Sequence, residues 1–91
     1  MAVDDAIKSL QAAGANFECD RLIKILGTLG FDIRRGSGGN HYVVHHTQLA
    51  DFFGSNFACM HGRRPQIRPV YVKKMVSIIE THKDELRQLY G

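Results

Sequence analysis

The stretch GSGGNHYVVHH, residues 36–46, places a glycine-rich turn directly before three of the chain's five histidines. Imidazoles bind metals and transfer protons near neutral pH, so this stretch is the first candidate for chemistry. On an extended strand His41 and His45 share a face but lie about 13 Å apart, too far to bind one ion together. His45 and His46 point to opposite faces. A metal site would need ligands from elsewhere, such as His61, and we expect neither a metal nor another cofactor.

The glycines in front of His41 do not match a phosphate-binding loop. Such a loop leads through Gly-Lys-Ser/Thr into a helix, whereas these glycines lead into a β-branched and aromatic segment typical of a strand. We interpret them as a tight turn. If Tyr42, Val44 and His46 face the core, then His41 and His45 face outward on the open side of the sheet. An exposed His41 either has no special role or transfers a proton at the 2'-hydroxyl of RNA.

Basic residues are concentrated in the middle of the chain. Residues 21–74 hold nine Lys or Arg against two Asp, while both ends carry net negative charge and the whole chain has a formal charge of +3. A basic segment between acidic ends fits a surface that binds a polyanion. The same distribution also fits an ordinary solvated surface.

Hydrophobic periodicity predicts the elements that must position these side chains. It predicts helices over residues 3–13 and up to Gly30, a β-hairpin of 31–35 and 41–46, a loop over 47–56, a third strand over 57–61, and a helix from Pro69 that Leu86 and Tyr90 can extend. This order indicates an α+β fold in which helices cover one face of a three-stranded antiparallel sheet. At 91 residues the chain is expected to form a single domain over 1–91.

Cys19 and Cys59 form no C-x-x-C motif, so neither a thioredoxin-type motif nor a thiolate zinc site is indicated. We expect both to be small buried residues in a reducing compartment. No apolar run reaches the roughly 18 residues of a membrane span, and the N-terminus lacks signal-peptide features. The expected location is the cytoplasm, without membrane contact.

Two segments resemble the HicA toxin family of bacterial and archaeal toxin–antitoxin systems. They are NFECDRLIKILGTLGFDIRRGSGGNHYVVHH and HGRRPQIRPVYVKKMVSIIE, and the similar region covers about residues 16–80, leaving 1–15 as an N-terminal extension helix. Within the family motif G-S-H-x-x-[FY]-x-H, His41 matches the catalytic histidine, Val44 the apolar position and His46 the trailing histidine. Asn40 replaces the usual serine, and Gly36-Ser37-Gly38 lengthens the turn.

This resemblance implies a fold similar to double-stranded-RNA-binding domains, α-β-β-β-α, with an extra N-terminal helix. It implies a metal-independent endoribonuclease, an mRNA interferase, that uses His41 as general acid or base and is neutralised by a HicB-like antitoxin. The expected RNA-binding residues, the cations among them chosen by charge and placement, are Arg34, Arg35, Gly39, Asn40, Arg63, Arg64, Arg68, Lys73 and Lys74. The alternatives are a non-catalytic RNA-binding module of the same fold and a protein-interaction domain with an acidic partner.

Overall fold

The structure is a computed structural model that describes residues 2–91. Its elements are α1 (Val3–Gln11), α2 (Cys19–Thr28), β1 (Asp32–Arg35), β2 (His41–His45), β3 (Ser55–Ala58), α3 (Pro69–Thr81) and α4 (Lys83–Tyr90). The strands form one antiparallel sheet in the order β1-β2-β3. The predicted α+β fold is confirmed, including the order α-β-β-β-α after an N-terminal helix.

The alternation of side chains along β2 gives the sheet a covered face and an open face. Val44 is fully buried and Tyr42 partly buried on the covered face, while His41, Val43 and His45 are exposed, as predicted. Residues directly opposite one another across a ladder share a face. We therefore define the open face by the strand register as Asp32, Arg34, His41, Val43, His45, Asn56 and Ala58.

The helices bury their apolar stripes in one core together with the covered face of the sheet. In α2 the predicted stripe of Leu22, Ile25, Leu26 and Leu29 is buried, and Gly30 follows with a φ of 81°, the left-handed conformation expected after a helix. Phe57 from β3 is the largest fully buried side chain and joins this core. Truncating such a phenylalanine to alanine typically costs about 3–5 kcal/mol, so the covered face anchors the sheet.

The third strand begins two residues earlier and ends three residues earlier than predicted. Ser55 pairs with Val44, and the strand ends at Ala58 instead of continuing to residue 61. The Cys59 N–H still donates to the Asn40 carbonyl at 2.9 Å, in register with β2, and the chain leaves the ladder at Met60, whose N–H donates to the Gln66 carbonyl at 2.7 Å. The predicted strand 57–61 was therefore wrong in its second half, which is irregular.

The predicted C-terminal extension of α3 is a separate helix. α3 ends at Thr81 and α4 begins at Lys83, with the buried His82 ring at the joint and its centroid 5.7 Å from that of Phe52. α4 returns to α1, where the Arg87 guanidinium donates to Asp4 at 2.7 Å. This hydrogen bond holds the pKa of Asp4 below its usual value. Among residues 2–91, no helix has the length and apolar character required to cross a membrane.

The two cysteines are buried, as expected, but the expectation that they are reduced was wrong. Cys19 and Cys59 form a disulfide, with their Cα atoms 5.9 Å apart. They meet because the Cys19 N–H donates to the Pro65 carbonyl at 2.8 Å, while Cys59 forms a β-bridge with Ile67. A linear sequence in which these residues lie 40 positions apart gives no sign of this contact.

Candidate functional site

His41 is the first residue of β2, and the turn before it determines the position of its ring. The Gly36 N–H donates to the His41 carbonyl at 2.7 Å, which closes the hairpin. A Cβ added at Gly38 would lie only 2.5 Å from His41 Cδ2, so Gly38 packs closely against the imidazole. Gly39 alone takes a left-handed conformation in this turn, with a φ of 77°. The glycines thus leave space beside one exposed histidine.

Asn40 attaches this turn to the end of β3. Its side-chain amide donates to the Cys59 carbonyl at 2.8 Å, and its own carbonyl accepts from the Cys59 N–H at 2.9 Å. Asn40 keeps a negative φ, so the tolerance of unusual backbone angles expected for asparagine is not used here. The residue that replaces the family's serine therefore holds the turn against Cys59.

The trailing histidine of the motif has a structural contact. His46 is buried, its Nε2 lies 2.8 Å from the Leu29 carbonyl, and its Nδ1 accepts from the Gln48 N–H at 3.2 Å. A single tautomer with the proton on Nε2 satisfies both contacts. His46 therefore joins the end of β2 to the end of α2, while His45 stays exposed on the open face beside Gly54. Within residues 2–91, no three His, Cys, Asp or Glu side chains gather to hold a metal ion.

The two adjacent arginines of β1 point to opposite faces. Arg34 lies on the open face, where its Nε donates to Asp32 at 2.9 Å. Arg35 lies on the other side, where its guanidinium donates to the Tyr42 hydroxyl at 3.1 Å and sits 5.6 Å from the centroid of that ring. One arginine is therefore neutralised locally, whereas the other is stacked on an aromatic ring with its charge available.

A groove opens at the end of the sheet where β2 begins and β3 ends. It consists of two adjoining cavities of about 530 and about 240 Å³, which share Asn40, Cys59, Met60 and His61. We call this surface the end groove; its remaining walls are Ala58, Arg68 and Tyr71 in the larger cavity and Arg35, Gly38, Gly39, Tyr42, Gly62 and Pro65 in the smaller. Of the RNA-binding residues expected from the sequence, the end groove brings together Arg35, Gly39, Asn40 and Arg68.

The other expected RNA-binding cations are dispersed. Lys74 reaches the open face, where its ammonium donates to the Asn56 carbonyl at 3.0 Å. Lys73 instead lines an apolar cavity of about 250 Å³ beside Leu10 of α1, away from the open face. Arg63 and Arg64 are exposed in the loop between β3 and α3. The structure therefore does not bring Lys73 to the histidine site.

Sequence reasoning did not identify Met60, His61 and Tyr71 as site residues. Met60 and His61 fall in the part of the predicted strand that is irregular, and Tyr71 belongs to α3. They converge only through long-range contacts such as the Ile67 N–H donating to the Phe17 carbonyl at 2.9 Å. The adjacent Arg63 and Arg64 were the only local signal of an electropositive loop.

Comparisons with protein-family models, with curated proteins and with solved structures give no match for this chain.

Proposed function

We propose that this chain is a metal-independent endoribonuclease that cuts messenger RNA in the cytoplasm with His41 as its general base or acid. The observation that carries the proposal is the position of His41, exposed at the head of the central strand and bordered by a glycine turn. The similarity of its motif to the HicA toxins supports the same assignment. The observed α+β fold is also the fold class that the similarity to HicA toxins implies.

In this mechanism His41 accepts the proton of a ribose 2'-hydroxyl, and the resulting oxygen attacks the adjacent phosphorus atom. The attack concentrates negative charge on the non-bridging phosphate oxygens. Cations from the surrounding surface stabilise that charge, chiefly Arg35 and Arg68 at the end groove and Lys74 beside the open face. No step requires a metal ion.

We further assign the chain as the toxin of a toxin–antitoxin pair. A HicB-like antitoxin would silence it by covering His41. Because Arg35 and Arg68 at the end groove and Lys74 beside the open face carry positive charge, an acidic segment of that partner is the complementary ligand. Such a segment would compete with RNA for the same charges, so inhibition and RNA binding would be mutually exclusive.

A non-catalytic RNA-binding module is the second candidate. The observation that favours it is the stacked Arg35–Tyr42 pair, since cations and aromatic rings together bind RNA without cleaving it. Such a module would bind RNA in a salt-dependent manner, show no turnover and be indifferent to the loss of His41.

The His41→Ala variant tests the catalytic assignment. We expect the wild-type protein to cut single-stranded RNA in the presence of EDTA, leaving 2',3'-cyclic phosphate or 3'-phosphate ends. The variant should be slower by at least about 100-fold, the scale of one lost general acid or base, with an unchanged thermal unfolding midpoint. His45→Ala, on the same open face, is the matched control and should retain full activity. Undiminished cutting by His41→Ala would refute the assignment.

A further inference from the structure

We propose that His61 is a second catalytic histidine, which protonates the leaving oxygen, and that the end groove holds the nucleoside on the leaving side of the cut. This inference rests on the proposed ribonuclease activity. A single histidine can remove the 2'-hydroxyl proton, but the departing 5'-oxygen also needs a proton. The end groove supplies a second imidazole at the same end of the sheet as His41.

The strand register places the two histidines at the same end of the sheet. Ala58 lies directly opposite His41 in the β2–β3 ladder and precedes His61 by three residues. Ala58 and His61 line the larger cavity together with Asn40, the residue next to His41 in the chain. His41 and His61 therefore border the same end of the sheet, separated by the clamped Asn40–Cys59 contact.

The other histidines are not available for this role. His45 lies four residues further along β2, about 13 Å from His41. His46 is buried with both ring nitrogens engaged. His82 is buried at the α3–α4 joint against Phe52.

His61 itself is accessible and unrestrained. Its side chain is exposed, and across residues 2–91 no side-chain hydrogen bond or ion pair includes its ring. Gly62 follows with a φ of 132°, so the backbone turns immediately after it. An imidazole with free nitrogens at the mouth of a groove can move onto a bound phosphate.

The end groove suits one nucleoside. The larger cavity, at about 530 Å³, falls within the range of roughly 300–1,000 Å³ that is usual for small-molecule sites. Tyr71 offers a ring and Met60 an apolar side chain for contact with a base, while Arg68 places a cation for a phosphate. The groove thus combines stacking and charge next to the proton donor.

The chemical step balances without a further reactant. The P–O2' bond forms as His41 accepts the 2'-hydroxyl proton, and the P–O5' bond breaks as protonated His61 gives its proton to the departing 5'-oxygen. The products are a 2',3'-cyclic phosphate and a 5'-hydroxyl end. His41 then loses its proton to solvent and His61 regains one, which restores the starting state.

A substrate with sulfur in place of the bridging 5'-oxygen tests this role, because a thiolate departs without protonation. We expect His61→Ala to cut ordinary RNA at least about 100-fold more slowly than the wild type, yet to cut the sulfur-substituted RNA within a few-fold of it. His41→Ala should be slow on both substrates, and His45→Ala normal on both. A purely structural role of His61 would slow both substrates equally.

Each possible result of these rate measurements either supports or overturns the role of His61. Equal slowing of both substrates by His61→Ala, or an undiminished rate on ordinary RNA, overturns it while the His41 assignment stands. A wild-type protein that cuts neither substrate overturns this inference together with the proposed function. For the nucleoside site, Tyr71→Ala should raise KM several-fold and Tyr71→Phe should restore it; a KM unchanged in Tyr71→Ala would exclude stacking there.

Discussion

The open face and the end groove share Ala58 but are built differently. The open face is made of regular strands, and the partner of each residue follows from the ladder between β2 and its two neighbours. One wall of the end groove is an irregular segment, residues 59–68, which is held by the disulfide, two β-bridges and the Asn40 side chain. A short strand is therefore enough to orient His41 outward, whereas the end groove beside it depends on cross-links between distant residues.

Loss of the disulfide should disrupt the end groove while the open face stays intact. This is the largest effect that we expect. The double variant Cys19→Ala/Cys59→Ala should lose about 2–4 kcal/mol of unfolding free energy in denaturant titrations. The amide signals of residues 59–68 should shift in NMR spectra, while those of β2 stay in place.

Reductant should reproduce these changes in the wild type and do nothing to the double variant, which is the control. If neither the double variant nor the reduced wild type differed from the oxidised wild type in its denaturation midpoint, the cross-link would not hold the groove. Cytoplasmic thiols oppose disulfides, so the rate of RNA cutting with and without reductant would show which form of the protein is active.

Gly38→Ala should disturb the histidine without disturbing the fold. The added Cβ would overlap the imidazole of His41, so the ring must rotate away, and we expect RNA cutting to fall about 10- to 100-fold. Gly36→Ala is the matched control, because its Cβ would meet the nearest atom of His41 at 3.5 Å, an ordinary contact. Steady-state rates and thermal unfolding midpoints of both variants provide the measurement. Wild-type activity in Gly38→Ala would mean that the ring position is not limiting.

A comparison of Arg34→Ala with Arg35→Ala should show which of the two surfaces binds the RNA backbone. The expected effect is smaller than that of Gly38→Ala. Arg35 lines the end groove, whereas Arg34 is already paired with Asp32 on the open face. Loss of Arg35 should therefore weaken RNA binding several-fold and reduce the slope of log affinity against log salt by about one. Loss of Arg34 should change both quantities less. The reverse order would place the RNA backbone on the open face.

The parts of the site that could be predicted from the sequence are those governed by local geometry. The alternation of side chains along β2 is sufficient to predict that His41 faces outward and His46 inward. The apolar stripe likewise predicts α2 and the glycine that ends it, Gly30. The disulfide and the end groove depend on contacts between distant residues, such as Cys19 and Cys59. No local sequence pattern indicates these contacts, so the sequence alone does not place His61 beside Asn40.

The hairpin that presents His41 also constrains how the chain can vary. Gly36 and His41 close the hairpin turn. The number of residues in this turn determines which β2 side chains lie on the same face of the sheet as their partners in β1. Deleting one turn residue while β1 stays in place would move β2 by one position, turning His41 inward and exposing Val44. Insertions or deletions in this turn should therefore be tolerated in pairs of residues and rejected singly.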